Sequence, residues 1–137
     1  MALRLNMNDL NPGIFFLWPT SKKKEEGGIT VRALTNQKRD EFLAATTTEE
    51  EDYRDGRVYV RKNEDKDTFN ELTYDYCIVD WTELYDNDKP IPCNKKNKLK
   101  LMKEHPVFPG LVNTAIAIAG SERAMREEKE LKNFFRS

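Results

Sequence analysis

The spacing of apolar residues along this 137-residue chain changes near residue 65, and that change constrains the fold most. Before it, Ile29 to Leu34 and Arg57 to Arg61 alternate apolar and polar residues, as half-buried strands do. After it, apolar residues recur at steps of three and four, which is typical of an amphipathic helix. The sequence therefore predicts one α+β domain, residues 1–137, with a strand-rich part (1–65) and a helical part (66–137).

The predicted sheet is small, antiparallel and N-terminal. Ile14 to Trp18 is rich in aromatic and bulky aliphatic residues, which predicts a first strand, and Pro19 terminates it. A polar loop separates it from Ile29 to Leu34, and we expect these two strands to form a hairpin. Arg57 to Arg61 is a third strand that could join them. The run Glu49 to Asp52 is interpreted as solvent-facing.

The first predicted helices follow from capping residues and apolar spacing. Asn36 is the expected N-cap of a helix that begins at Gln37. Thr68 and Glu71 form a capping-box pair before an apolar series with helical spacing. That series is Phe69, Leu72, Tyr76 and Val79. The β-branched and aromatic residues near its end favour a strand instead, but spacing and cap together favour a helix.

Two further helices are predicted in the last third of the chain. Asn94 is the expected cap of a helix from Lys95 to about Glu104. A second, apolar helix begins at Pro109. Gly120-Ser121 is interpreted as a break or a weak point, followed by a charged helix from Glu122 to Phe135.

The composition offers little for catalysis or metal binding. His105 is the only histidine, and it lies at a predicted helix end, where a structural role is the simpler interpretation. Cys77, Cys93 and His105 are too few for a structural zinc site, and reduced thiols are favoured over a disulfide. Asp86-Asn87-Asp88 lacks the glycine of a calcium loop and is interpreted as a turn. We therefore predict a protein that is not an enzyme and has no cofactor.

Charge and hydropathy limit the partners and the location. The 23 Lys+Arg residues nearly balance the 24 Asp+Glu residues, whereas a dedicated nucleic-acid binder usually carries a basic excess. The apolar runs Ile14 to Trp18 and Ala115 to Ala119 are too short to cross a bilayer, and the N-terminus lacks the pattern of a signal peptide. We expect a cytoplasmic protein that binds neither nucleic acid nor membrane.

Five apolar residues are candidate contacts for a protein partner. Trp81 and Tyr85 precede a proline-containing loop, where aromatic residues either anchor a partner or close the core. Leu131, Phe134 and Phe135 are the apolar residues near the end of the charged helix. The two phenylalanines either fold back onto the body or dock into another chain. Self-association is left open.

Residues 78–102 also carry a resemblance. Ile78 to Leu84, Asp86 to Asn94 and Asn97 to Met102 form a pattern that resembles the phage tail assembly chaperones, with weaker support from Arg32 to Thr35 and Glu130 to Asn133. These motifs are modest in specificity, because none is catalytic. Phe134-Phe135 departs from the usual polar ending of that family.

The resemblance implies a function that composition could not supply. Members of the family bind the tape measure protein and tail tube subunits in the bacterial host cell during tail assembly, and leave the finished virion. The alternative is a structural neck or tail-completion component of the phage particle. Both alternatives are non-enzymatic, and they differ in whether the protein stays in the particle.

Overall fold

A computed structural model describes residues 11–136, except for the side chains of residues 127, 130, 131 and 133–136. The strands and helices follow one another as β1 (Ile14–Leu17), β2 (Gly28–Val31), α1 (Asn36–Thr46), β3 (Thr47–Arg54), β4 (Arg57–Glu64), α2 (Lys66–Cys77), β5 (Ile78–Thr82), β6 (Tyr85–Asp86), β7 (Lys89–Pro90), α3 (Lys95–Glu104) and α4 (Phe108–Arg136). The predicted α+β class is confirmed.

Three antiparallel strands form the sheet, in the order β1-β2-β5. The expected hairpin of β1 and β2 is confirmed, with Leu17 opposite Gly28. Gly28 is required there, because a Cβ at this position would collide with the carbonyl oxygen of Phe16. On the other side of β2, Ile29 lies opposite Trp81 of β5. The third strand therefore comes from the second half of the chain.

The suggestion that Arg57 to Arg61 joins this sheet is wrong. That segment lies in β4, which pairs along its whole length with β3 in a separate two-stranded ribbon. The acidic run Glu49 to Asp52 is thus a strand. Asp55 and Gly56 connect β3 and β4 with φ values of 54° and 72°, and such a positive-φ pair favours a tight hairpin.

The second helix was predicted in the right place with the wrong ends. Its N-cap is Asp65, whose carboxylate accepts the N–H of Thr68, so Thr68 lies inside the helix. Bonds from the Thr68 hydroxyl and N–H to this carboxylate lower the pKa of Asp65. The helix ends at Cys77, and Ile78 and Val79 belong to β5. There the strand propensity of the sequence prevailed, because pairing with β2 buries Ile78 completely.

The other helix ends gave mixed results. The N-cap of α1 is Thr35, whose hydroxyl accepts the N–H of Lys38, so the expected cap at Asn36 is wrong by one residue. Asn94 is the cap of α3, as predicted, and accepts the N–H of Asn97 at 2.9 Å. The break expected at Gly120-Ser121 does not occur, since α4 is continuous from Phe108 to Arg136.

One face of α4 closes the core over the sheet. This face carries residues at helical steps of four, three and four, namely Phe108, Val112, Ala115 and Ala119, all of them buried. They pack with Ile29, Val31, Ile78, Trp81 and Met102 in one cluster. Each Å² of apolar surface buried in this cluster stabilises the fold by about 25 cal/mol. The cluster also fixes α4 next to β1 and β2.

Candidate functional site

Trp81 is a core residue. Of the two roles predicted for it, anchoring a partner or closing the core, the structure shows the second. Its side chain is 6% exposed. Its indole Nε1 donates a hydrogen bond to the carbonyl of Ile91 at 2.7 Å, and its ring packs edge-to-face on Phe108 at 6.0 Å between centroids. In this fold Trp81 joins β5 to α4, and its ring is covered by the protein itself.

Tyr85 lies on the surface, with 49% of the residue exposed. Its hydroxyl donates a hydrogen bond to Glu83 Oε2 at 2.7 Å, and this bond together with the Glu83 charge raises the pKa of Tyr85. The neighbouring Asn87 has a φ of 55° in the tight β6–β7 turn, which agrees with the turn interpretation of residues 86–88. Tyr85 is therefore accessible to a partner, unlike Trp81.

The remaining three predicted contacts lie outside the described side chains. The backbone of α4 extends through Leu131, Phe134 and Phe135. Their role in binding stays a prediction.

An exposed apolar groove lies between β1 and α4. It has a volume of about 490 Å³. Leu17, Trp18 and Pro19 form the strand side. The helix side is formed by Val107, just before α4, and by Leu111, Thr114 and Ile118. None of the residues that line this groove carries a charge. We call it the β1–α4 groove.

The walls of the groove differ in how firmly they are held. On the strand side, Trp18 donates its indole N–H to the carbonyl of Thr82 at 2.8 Å, so the ring is anchored to β5. On the helix side, Val107 is 58% exposed and Ile118 41% exposed. The groove thus joins a fixed aromatic wall to a row of apolar side chains that contact solvent.

The spacing of residues near the start of α4 is a sequence signal for this groove. Residues 107, 111, 114 and 118 are spaced by four, three and four, as are the core residues one position further along. A helix with two adjacent apolar stripes can bury only one of them against a sheet. The second stripe is therefore left at the surface, and identifying it requires knowing which stripe faces the core.

His105 has a structural position at the start of α4. Its Nδ1 accepts the backbone N–H groups of Val107 at 3.1 Å and Phe108 at 3.0 Å. Two N–H groups at a helix start, which have no partner within the helix, are thereby satisfied. The imidazole is used as a cap, in line with the structural interpretation of this residue.

The two cysteines are free thiols, so the disulfide that their number allows is not formed. Cys77 is fully buried, and burial raises its pKa to about 11. Cys93 is half-buried, and burial raises its pKa as well. A thiol with a raised pKa is a poor nucleophile at neutral pH, because only the thiolate attacks.

Comparison with models of protein families, with curated proteins and with solved structures found no match. Within residues 11–136 no group of three or more His, Cys, Asp or Glu side chains is placed to hold a metal ion. No helix among the residues described is both long and apolar enough to cross a membrane.

Proposed function

We propose that this protein is a phage tail assembly chaperone, which acts by binding tape measure and tail tube proteins during tail assembly and catalyses no reaction. The observation that supports the proposal is the β1–α4 groove, an uncharged apolar surface between a strand and a helix. A chaperone of this kind works in the cytoplasm of the host cell and is absent from the mature virion.

The shape of the groove fits one helix of a client. An amphipathic helix binds such grooves through apolar residues at steps of three and four. Leu111 and Ile118 lie two turns apart on α4, so an antiparallel or parallel client helix can pack its own apolar stripe against them. Trp18 on the opposite side supplies a large aromatic wall, a residue type that often dominates binding energy.

The chemistry of the groove favours the apolar part of such a client. Because no lining side chain is charged, a charged residue buried there would lose its hydration without gaining a partner. A helical protein held before assembly exposes apolar stripes that would otherwise aggregate. The groove would cover one such stripe and release it when the tail tube closes around the client.

Co-expression tests the proposal. We expect the tape measure protein to be recovered as a soluble complex with the wild-type chain. A glutamate at Leu111 or Ile118 places a charge inside the groove and should abolish the complex. Met125→Glu is the matched control, because Met125 is exposed on the same helix outside the groove. Failure to recover any tail protein, or full recovery with Leu111→Glu, would contradict the proposal.

Mass spectrometry of purified particles separates the chaperone from a structural neck or tail-completion component. We expect the protein in lysates during assembly and not in mature particles. A fixed number of copies in every particle would support the structural alternative. Tyr85, Leu131, Phe134 and Phe135 are proposed as further contacts, and glutamate at each of them should weaken the complex less than Leu111→Glu.

A further inference from the structure

The ribbon of β3 and β4 extends from the body with both faces in solvent. Each strand has eight residues, so the ribbon is about 26 Å long at ~3.3 Å per residue. Every residue of β4 is exposed. At its root Asp65 donates its N–H to the carbonyl of Thr46, which is buried. A two-stranded ribbon without a packed face is only marginally stable in water. Pairing with another strand would therefore stabilise this ribbon.

The outer edges of the ribbon carry backbone groups in a fixed pattern. The turn places Arg54 opposite Arg57, and in a two-residue hairpin this flanking pair exchanges hydrogen bonds. Alternate residues then point their N–H and C=O groups outward. These are Glu49, Glu51 and Tyr53 on β3 and Val58, Val60 and Lys62 on β4. Because the sheet has only two strands, each strand has one edge open for pairing.

The two edges have opposite charge. Four consecutive acidic residues, Glu49 to Asp52, lie on β3. The strand β4 carries Arg57, Arg61 and Lys62 against a single acid, Glu64, and β3 carries a single base, Arg54, so the net charges of the two strands are opposite. Opposite charges already pair across the two strands within one ribbon, since Glu49 lies opposite Lys62 and Glu50 opposite Arg61. Like charges directly opposite each other destabilise a strand pair, whereas opposite charges stabilise it. Two β3 edges therefore repel, as do two β4 edges, but β3 and β4 edges attract.

The apolar residues of the ribbon fit the same arrangement. Tyr53 lies opposite Val58, and Val60 is two residues further along the same face. All three are more than half exposed, and Tyr53 is 72% exposed. If β4 of one copy paired with β3 of the next in the register used within each ribbon, Val58 would again lie opposite a tyrosine. Aromatic and β-branched cross-strand pairs of this kind stabilise sheets.

From these observations we propose that copies of this protein associate head-to-tail, with β4 of one copy paired antiparallel to β3 of a second copy. The ribbons then form one intermolecular sheet. Such a contact joins two different edges, so each added copy leaves a new edge open and the assembly continues as a chain or closes as a ring. This inference does not depend on the proposed function, because the ribbon contributes no residue to the β1–α4 groove.

Sedimentation of the purified chain, measured over a range of protein and salt concentrations, tests the proposal. We expect the mass to grow beyond a dimer with concentration and to fall as salt screens the edge charges. Val60→Pro removes an outward N–H from β4, and Glu51→Pro does the same on β3, with the ladder inside each ribbon kept. Each variant alone should stay monomeric. An equimolar mixture should form a dimer, because each variant retains the edge that the other lacks.

Amide exchange of the wild-type chain gives a second readout that needs no variant. The Val60 N–H should exchange slowly at high protein concentration and at least tenfold faster on dilution, whereas the inward Tyr59 N–H should change little. A wild-type chain that stays monomeric at all concentrations, with the Val60 N–H exchanging at one rate throughout, would overturn the proposal. So would association that persists unchanged in both proline variants.

Discussion

The indole N–H of Trp81 donates a hydrogen bond to the carbonyl of Ile91 at 2.7 Å, and this bond links β5 to the segment that leads into α3. The same ring packs edge-to-face on Phe108 at the start of α4. One buried side chain thus holds three parts of the chain together, and α4 carries one wall of the β1–α4 groove. The stability of the core and the shape of the groove are therefore coupled.

Replacing Trp81 should separate the two contributions of its side chain. Trp81→Phe keeps most of the ring volume and loses the hydrogen bond, which leaves the Ile91 carbonyl without this partner and should cost about 1–3 kcal/mol. Trp81→Ala also opens a cavity and should cost about 3–5 kcal/mol in total. Urea unfolding followed by circular dichroism measures both free energies. Equal losses for the two variants would show that packing at Phe108 contributes nothing.

Substitution of Gly28 should be far more damaging than substitution of another glycine. A Cβ at Gly28 would overlap the Phe16 carbonyl, so Gly28→Ala has to push β1 away from β2, at a cost of about 1–3 kcal/mol or more. Gly110→Ala is the matched control, because a Cβ there meets nothing within 4 Å on a helix and should stabilise by about 0.5–1 kcal/mol. Thermal unfolding of both variants makes the comparison, and similar midpoints would contradict it.

His105 should matter for stability and not for chemistry. Loss of its two hydrogen bonds to Val107 and Phe108 in His105→Ala should lower the unfolding free energy by about 1–2 kcal/mol. His105→Asn keeps an acceptor near the helix start and should lose less. Recovery of the client complex should be the same in both variants once they are folded. A folded His105→Ala protein that binds no client would instead assign the imidazole a direct functional role.

The thiol of Cys77 should be inert in the folded protein. Its pKa is raised from 9.0 to about 11, so only about one molecule in a thousand carries the thiolate at pH 8. A thiol reagent should therefore modify Cys77 only after unfolding. The raised pKa also contributes stability that is fully present below pH 9 and is lost as the pH rises from 9 to about 11, because the unfolded chain ionises first. Unfolding of Cys77→Ala should lack that part of the pH dependence.

The structural features that were predicted correctly are those that depend on neighbouring residues in the sequence. The β1–β2 hairpin follows from the aromatic and aliphatic run of β1 and the alternation of β2, and the cap at Asn94 follows from its side chain. The third strand was missed because Val79 continues the helical spacing of Phe69, Leu72 and Tyr76, and only pairing with β2 makes this segment a strand. The ribbon was missed because an acidic run has low strand propensity, and its pairing to β4 depends on the opposite charges across the strands.

The candidate surface was harder to predict than the fold. Trp81 was predicted as a candidate partner contact because it is aromatic, but its side chain is buried in the core. The groove depends on Val107 and Ile118, ordinary aliphatic residues whose exposure is decided by which side of α4 meets the sheet. That choice is a property of the packed structure, since two adjacent stripes of the same helix have similar composition.

We have proposed that the β1–α4 groove holds an apolar helical segment of a tail protein. Calorimetric titration of the wild-type chain and Ile118→Glu with a tape measure protein fragment tests it most directly, with Met125→Glu as control. We predict binding with a negative heat-capacity change for the wild type and Met125→Glu, and at least a tenfold weaker affinity for Ile118→Glu. Equal affinities for all three proteins, or no binding to any of them, would contradict the claim.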